Sequence, residues 1–299
     1  MFDLPWRFIA ILTANGLLVG SMYALVALGF VLIYKATDAI NFAQGEFVMF
    51  AGFLAAATID LAGLPWWMGA IVAIGGMIAL GFGLERVVLR PLIGQSVIAV
   101  IMATIGLASV LRGTATLAFG AGIKTIPLPV PSSPVLIGPL ILPPIEIVGG
   151  VVSLLFLAGF AWFFLKSRVG VAMRAVADNQ QVAMAMGINV RRYFALAWAL
   201  GGVVSALGGI LWGSMLAVDN QLALVGLKVF PVMILGGLDS ILGAVVGGLI
   251  VGVVENLSAG FLDPVVGGGT KDFVPYLLMI AVLMVRPEGM FGRRRIERV

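Results

Sequence analysis

The stretch FIAILTANGLLVGSMYALVALGFVLIY, residues 8–34, contains no charged side chain and is long enough to cross a lipid bilayer as one helix. A transmembrane helix needs about 20 predominantly apolar residues. The rest of the chain has the same character, because 61% of its 299 residues are hydrophobic and 11% are charged. Soluble domains carry about 25% charged residues. The composition therefore predicts an all-α polytopic membrane protein.

Further apolar segments follow along the chain, separated by charged residues or by Pro and Gly. The candidate spans are residues 8–34, 42–59, 66–84, 96–118, 146–165, 193–217, 222–237, 241–257 and 273–285. The segments 222–237 and 273–285 are short for a full crossing, and such segments are often tilted or re-entrant. We therefore expect about eight or nine spans in a single transmembrane domain, residues 1–299.

The distribution of Lys and Arg predicts how these spans are oriented, since cytoplasmic loops carry an excess of both. Most of the basic residues fall on the cytoplasmic side when the loop 166–192 is placed there. The C-terminus is then cytoplasmic. The Pro- and Gly-rich segment 120–146, whose prolines exclude a long helix, becomes an external loop. Arg112, near the outer end of its span, is expected to extend to the outer surface.

The missing residue types exclude several functions. The chain has no Cys and no His, which removes thiolate chemistry and the commonest neutral-pH proton carrier and metal ligand. We find no P-loop motif and no carboxylates at metal-ligand spacing. We therefore expect no catalytic site, no metal and no cofactor bound by this chain. The net charge of +4 follows the membrane topology and does not indicate nucleic-acid binding.

The longest polar stretch, KSRVGVAMRAVADNQQVAMAMGINVRR at 166–192, predicts two short surface helices. Asp178 is expected at the N-cap of the second helix, with Gln181 three positions later and Gly187 just past its end. Small and apolar side chains fall on one face at helical spacing: Val182, Ala183 and Met186. Such a loop either lies on lipid headgroups or docks into a groove of a soluble partner.

A polar insertion, DAINFAQGEF at 38–47, separates the first two spans. Asn41 and Gln44 can cap the second span at its cytoplasmic edge, with Lys35 as the counter-charge of Glu46. Alternatively, these polar groups line the inner mouth of a permeation path, because ionisable groups within spans usually face a cavity or a partner.

Other polar residues in the spans are candidates for the same path. Asn15 and Tyr23 face the path or bond a neighbouring helix, and Glu255 marks a membrane interface. Lys228 precedes Pro231, where a broken helix would offer backbone groups to a substrate. The candidate residues of a substrate path are Asn15, Tyr23, Asn41, Gln44, Glu46 and Lys228.

Three motifs in this order, INFAQGEF, GVAMRAVADNQQVAMAMGI and ILGGLDSILGAVVGGLIVG, resemble permease subunits of branched-chain amino acid ABC importers of the LivH type. ERVVLRPL and the RPEGMFG tail extend the resemblance over essentially the whole chain. It implies a type II-like importer fold in a bacterial inner membrane. Two paralogous permeases form the pore, two cytoplasmic ATPases hydrolyse ATP to drive it, and a periplasmic binding protein delivers the substrate.

The resemblance also implies that residues 170–188 form the coupling loop that contacts the ATPases. The coupling residues that it implies in this chain are Arg174, Ala175, Asp178, Asn179, Ala183, Gly187 and Ile188. We add Met184 and Met186, because methionine side chains adapt well to a groove on a protein partner.

We therefore expect a transport subunit rather than an enzyme. It would move branched-chain amino acids, or a related small solute such as urea or a short amide, by alternating access. The alternative is a self-sufficient secondary transporter or channel. Secondary transporters usually carry charged relays near the bilayer midplane, whereas the charges here are expected at the edges of the spans.

Overall fold

The computed structural model describes residues 4–92 and 95–292, which are predominantly helical. The α-helices are α1 (Leu4–Thr37), α2 (Gln44–Ala62), α3 (Trp66–Leu84), α4 (Val97–Phe119), α5 (Pro144–Lys166), α6 (Arg168–Asp178), α7 (Gln180–Ala185), α8 (Val190–Leu216), α9 (Leu224–Gly236), α10 (Ile241–Phe261), α11 (Asp263–Val266) and α12 (Thr270–Val285). A π-helical turn (Glu85–Leu89) and a 3₁₀ turn (Arg90–Leu92) extend α3, and a 3₁₀ turn (Asn220–Ala223) precedes α9.

Six helices within the described residues are long and apolar enough to cross a membrane. They are Trp6–Thr37, Trp66–Leu92, Val97–Phe119, Pro144–Lys166, Val190–Leu216 and Ile241–Phe261. The predicted class, an all-α polytopic membrane protein, is confirmed. All the segments predicted as spans are helical, but α2, α9 and α12 are not among these six, so eight or nine spans are not confirmed. α9 has 13 residues and α12 has 16, fewer than the ~20 of a full crossing.

One compact unit comprises residues 28–128 and 158–227. Its centre is formed by α2, α3 and α8, which pack against one another, and α4 packs against α2. Gly209 on α8 lies against the backbone of Val48 and Gly52 on α2, so that a Cβ at this position would collide with both. Small residues allow helices to approach this closely in a membrane. The rings of Phe47 and Trp198 add an edge-to-face contact with centroids 5.9 Å apart.

The other compact unit comprises, of the described residues, 4–27, 129–157 and 228–292. Here α10 packs against α12, and Gly252 on α10 lies directly against the backbone of α1 at Gly16 and Gly20. After α12 the chain returns to the end of α9. The N–H groups of Met290 and Phe291 donate to the carbonyls of Leu235 and Gly236, at 2.9 and 3.0 Å.

The segment between α4 and α5 contains no long helix, as its prolines predict. Lys124 and Val218 exchange two backbone hydrogen bonds of 3.0 and 2.8 Å. Further along, Val135–Ile137 (β1) and Leu140–Leu142 (β2) form an antiparallel hairpin. The hairpin is turned by Gly138, whose φ of 60° favours glycine.

Candidate functional site

The helix α2 begins inside the bundle of its own unit. The backbone N–H of Phe42 donates to the hydroxyl of Thr104 at 3.2 Å, and Thr104 is about 10 Å along α4 from Val97, since a helix rises 1.5 Å per residue. Asn41 and Gln44 are fully buried. The turn before α2 therefore packs beside α4 near Thr104, and Asn41 lies just ahead of the start of α2, at the edge of the second segment as expected. Its cytoplasmic location stays a prediction.

A hydrogen-bonded chain leads from this turn to α8. The Asn41 side chain accepts from the N–H of Ala43 at 3.1 Å and donates to Gln44 Oε1 at 3.4 Å. Gln44 Nε2 donates to the hydroxyl of Ser205 at 2.9 Å. The predicted side-chain cap is wrong, because Ala43 is the N-cap residue and no side chain caps α2. The two amides instead stabilise the turn and join it to α8.

Glu46 forms an ion pair with Arg112 on α4. Arg112 Nη2 lies 2.6 Å from Glu46 Oε1, and the side chains are 50% and 8% exposed, respectively. The expectation that Arg112 extends to the outer surface is wrong, because its guanidinium turns to Glu46. The expected counter-charge, Lys35, lies over the ring of Phe164 at 5.6 Å.

A second polar cluster lies in the other unit. The hydroxyl of Tyr23 donates to Glu255 Oε1 at 3.2 Å, and Lys228 Nζ is 3.7 Å from the same oxygen. Lys228 also pairs with Asp272 at 2.9 Å. Tyr23 and Glu255 are buried whereas Asp272 is exposed, so the cluster extends from the interior to the surface. Tyr23 therefore bonds a neighbouring helix, one of its two predicted roles.

Two expectations about this cluster need correction. α9 is continuous with Pro231 inside it, so Lys228 contributes a charged side chain and no helix break offers backbone groups. Glu255 is buried and paired rather than a marker of the membrane interface. Asn15 belongs to neither cluster, and its Oδ1 is buried without a hydrogen-bond partner among the described residues.

These contacts also correct the expected charge distribution. Glu46 pairs with Arg112, and Glu255 with Lys228, within the helical bundles rather than at their edges. Ionisable groups within membrane segments pair with one another or face a water-filled cavity. The buried carboxylates of Glu46 and Glu255 are therefore each paired with a basic side chain of the same unit.

The loop after α5 forms two short helices, α6 and α7, as predicted. Asn179, not Asp178, is the N-cap of α7, and its side chain accepts from the N–H of Val182 at 3.0 Å. Asp178 is instead the last residue of α6. The predicted end at Gly187 is confirmed by its φ of 81°, a conformation that glycine adopts without strain.

Arg174 fixes this loop to α5. Its Nη1 donates to the carbonyl of Phe164 at 2.6 Å, and its Nη2 to that of Leu165 at 3.3 Å. The last carbonyls of a helix have no partner within the helix and carry partial negative charge, so a guanidinium is favourable there. Gly170 lies directly against the backbone of Phe164, which brings α6 close to the end of α5.

The apolar side chains of the loop point in two directions. Ala183 is buried together with Met173 and Val176, whereas Val182, Met184 and Met186 are exposed. The predicted single face is therefore wrong at Ala183, which packs inward. We call the three exposed side chains, Val182, Met184 and Met186, the outer patch.

A family model described as a branched-chain amino acid transport system permease component matches residues 12–283. The chain belongs to this permease family. Among curated relatives, the high-affinity branched-chain amino acid transport permease BraD of Pseudomonas aeruginosa is 34% identical, over 95% of this chain and 96% of BraD. LivH of Escherichia coli K12, with the same description, is 32% identical over 95% of this chain and 96% of LivH.

Among solved structures, PsaBC from Streptococcus pneumoniae in complex with Fab aligns with a TM-score of 0.47 and 15% identity, over 93% of each chain. The family match confirms the resemblance to LivH-type permeases stated above, and with it the function as a permease subunit of an ABC importer. The permease is therefore a transport subunit and a multi-pass membrane protein.

Sequence reasoning missed the ion pairs among the described residues, including Glu46–Arg112 and Glu85–Arg90. Glu46 and Arg112 are each a single charged residue inside an apolar segment. Because such residues tend to pair with one another, the sequence could have suggested this ion pair. Glu85 is buried and accepts two hydrogen bonds from Arg90, at 3.2 and 2.8 Å. This pair lines a cavity together with Gln180 of α7. The sequence feature that could have suggested the Glu85–Arg90 pair is an acidic and a basic residue five positions apart at the end of a span.

Proposed function

We propose that this permease imports branched-chain amino acids by alternating access as part of an ATP-driven ABC importer. A second, paralogous permease would complete the pore, and two cytoplasmic ATPases would hydrolyse the ATP. A periplasmic binding protein would deliver the substrate. The permease itself would bind lipid but no cofactor, metal or nucleic acid, and would carry no ATPase motif of its own.

One observation carries this proposal. The similarity to BraD extends over 95% of this chain and 96% of BraD, so nearly the whole length of the relative has a counterpart here. The role of BraD, high-affinity branched-chain amino acid transport, is therefore our proposal for this chain.

The proposed location is the bacterial inner membrane, with the chain as a single permease domain and a cytoplasmic C-terminus. The distribution of basic residues supports this orientation. It places the loop 166–192 in the cytoplasm and the segment 120–146 outside. The β1–β2 hairpin of the external segment exposes Leu136, Ile137 and Ile141.

We further propose that α6 and α7 couple the permease to its ATPases. The outer patch would fill a groove on the ATPase, and the bonds from Arg174 to α5 would transmit movement of the loop to a membrane helix. The proposed coupling residues are Arg174, Ala175, Asp178, Asn179, Ala183, Met184, Met186, Gly187 and Ile188.

The substrate path remains a proposal as well. Support comes from the two polar clusters, which contain five of the six residues expected from the sequence. The proposed path residues are Asn15, Tyr23, Asn41, Gln44, Glu46 and Lys228. Asn15 is included because its buried Oδ1 lacks a hydrogen-bond partner in the part of the chain that the structure describes.

Reconstitution tests the proposal. Proteoliposomes containing this permease with its paralogue and ATPases should accumulate L-leucine when ATP and loaded binding protein are supplied. Uptake by this chain alone, driven by a sodium or proton gradient, would favour the secondary transporter. The paired charges within the bundles make that control necessary.

A further inference from the structure

Arg112 lies deep within its helix. Its Cα is about 22 Å along α4 from Val97 and about 10 Å from Phe119. Helical side chains tilt towards the N-terminal end of their own helix, and the guanidinium reaches Glu46 in the first turn of α2. That turn begins near the level of Thr104. The charged group therefore lies in the central part of the length of α4.

The guanidinium is held on one side and free on the other. It has five N–H donors, and its single partner among residues 4–92 and 95–292 is Glu46. Half of the side chain is exposed, while Glu46 is 8% exposed. Unsatisfied donors are strongly disfavoured in hydrocarbon. This side of Arg112 therefore faces water, a polar solute or polar groups of a partner subunit rather than lipid.

The neighbours of Arg112 on the same face of α4 leave it accessible. One turn before lie Ala108 and Ser109, and one turn after lies Thr116. Val110 lies two residues before Arg112, which places it about 200° around the helix and at nearly the same depth. Its side chain is apolar and 59% exposed. Arg112 and Ser109 thus give this side of α4 exposed polar groups beside the exposed Ile105, whereas Val110 gives the opposite side an exposed apolar group.

We propose that Arg112, positioned by Glu46, binds the carboxylate of the amino acid as it passes through the permease, an inference that rests on the proposed function. A guanidinium matches a carboxylate with two parallel hydrogen bonds, and the buried Glu46 holds it without competing for its free edge. This assigns the substrate class. Solutes with a carboxylate are accepted, and neutral solutes such as urea and short amides are not.

A cysteine-labelling experiment tests the water-facing side directly, because the chain has no native cysteine. In the assembled importer, Ser109→Cys should react with a small water-soluble thiosulfonate at least about tenfold faster than the matched variant Val110→Cys. L-leucine should slow the reaction at position 109 and L-leucinamide should not. Equal rates at the two positions, or equal protection by both compounds, would overturn the proposal.

Transport variants test the role of the charge. Arg112→Gln should lower L-leucine uptake at least about tenfold, as expected for the loss of a charged hydrogen-bonded contact. Stimulation of the ATPases by loaded binding protein should change less than about twofold. Arg112→Lys should retain more uptake than Arg112→Gln.

A charge swap separates recognition from simple pairing. The double variant Glu46→Arg/Arg112→Glu keeps an ion pair but presents a carboxylate to the substrate, so uptake should stay low. Restored uptake would show that the pair is only structural. If the double variant does not assemble, the Arg112→Gln variant provides the test. A loss of assembly or of ATPase stimulation in Arg112→Gln that matches its loss of uptake would overturn the proposal. A wild-type importer without leucine uptake would instead refute the proposed function.

Discussion

Gln44 at the start of α2 donates a hydrogen bond of 2.9 Å to the hydroxyl of Ser205 on α8. Both residues are fully buried, and the Ser205 hydroxyl in turn donates to the carbonyl of Gly201 at 2.8 Å. This contact joins the turn before α2 to the central helix of the unit. Its loss would leave an amide donor buried without a partner.

Ser205→Ala should therefore lower the free energy of unfolding by about 1–3 kcal/mol, the cost of one buried unsatisfied donor. The measurement is a thermal or denaturant unfolding curve of the purified permease in detergent. Ser214→Ala is the matched control on α8, because the Ser214 hydroxyl donates to Leu211 of the same helix. Equal effects of the two variants would contradict the assigned role of Ser205.

Gly209→Ala should weaken the packing of α8 on α2. The added Cβ would meet the Val48 carbonyl and the Gly52 amide, which are backbone atoms and cannot rotate away. Overpacking of this kind costs about 1–3 kcal/mol. The control is Gly75→Ala in α3, where no atom lies within 4 Å of an added Cβ. Unfolding curves that rank Gly75→Ala as the more damaging change would refute this account.

Arg174→Met should separate the coupling loop from α5 while leaving the membrane bundle folded. A charged hydrogen bond contributes about 1.5–3 kcal/mol, so we expect leucine uptake and stimulated ATPase activity to fall together by about tenfold. Arg168→Met is the control, because Arg168 is exposed in the same loop and has no side-chain partner among the described residues. A normal activity of Arg174→Met would remove its coupling role.

Met186→Glu should prevent docking of the outer patch. Met186 is 78% exposed, so the new carboxylate remains solvated in the isolated permease and its stability should not change. Burial of that charge against an ATPase would be costly. Pull-down of the ATPases and stimulated ATPase activity should both decline. Gln181→Glu adds the same charge at an exposed polar position of α7, and an equal decline there would indicate a general charge effect.

The turn between α11 and α12 should respond to acid. The hydroxyl and the backbone N–H of Thr270 both donate to Asp263 Oδ1, and these bonds lower the pKa of the Asp263 carboxyl below its usual range. A lowered pKa in the folded state means that the carboxylate contributes stability above the ordinary Asp pKa of about 3.9. That contribution is lost as the pH falls from there to the lowered value.

The observable is the hydrogen-exchange protection factor of the Thr270 amide, measured from pH 6 down to pH 3. It should decrease over the acid end of this range in the wild-type permease. In Asp263→Asn, which does not titrate, the decrease should be absent. A protection factor with the same pH dependence in both proteins would contradict the assigned bond.

The positions of the helices were predictable because each long apolar run requires a helix to satisfy its backbone in a membrane. Local rules also succeeded at Gly187, where a positive φ ends α7. They failed by one residue at Asp178, since Asn179 offers the same capping chemistry. Adjacent Asp and Asn cannot be separated by propensity alone.

The partners of the buried polar groups were not predictable. Glu46 meets Arg112 across 66 residues, and Gln44 meets Ser205 across 161. Helical periodicity gives the face of each residue but not which helix packs on which, nor at what depth. For the same reason, the start of α2 within the bundle could not be read from DAINFAQGEF. The residue types in this stretch indicated a polar site, but the partners of its side chains depend on how the helices pack.

The separation of 161 residues between Gln44 and Ser205 has a consequence for biogenesis. A ribosome adds about 5–20 residues per second, so the nascent polar turn waits on the order of ten to thirty seconds before its partner helix emerges. Hydrocarbon offers no substitute donor or acceptor during that interval. We therefore expect the first two helices to remain beside the aqueous channel of the insertion machinery until α8 arrives.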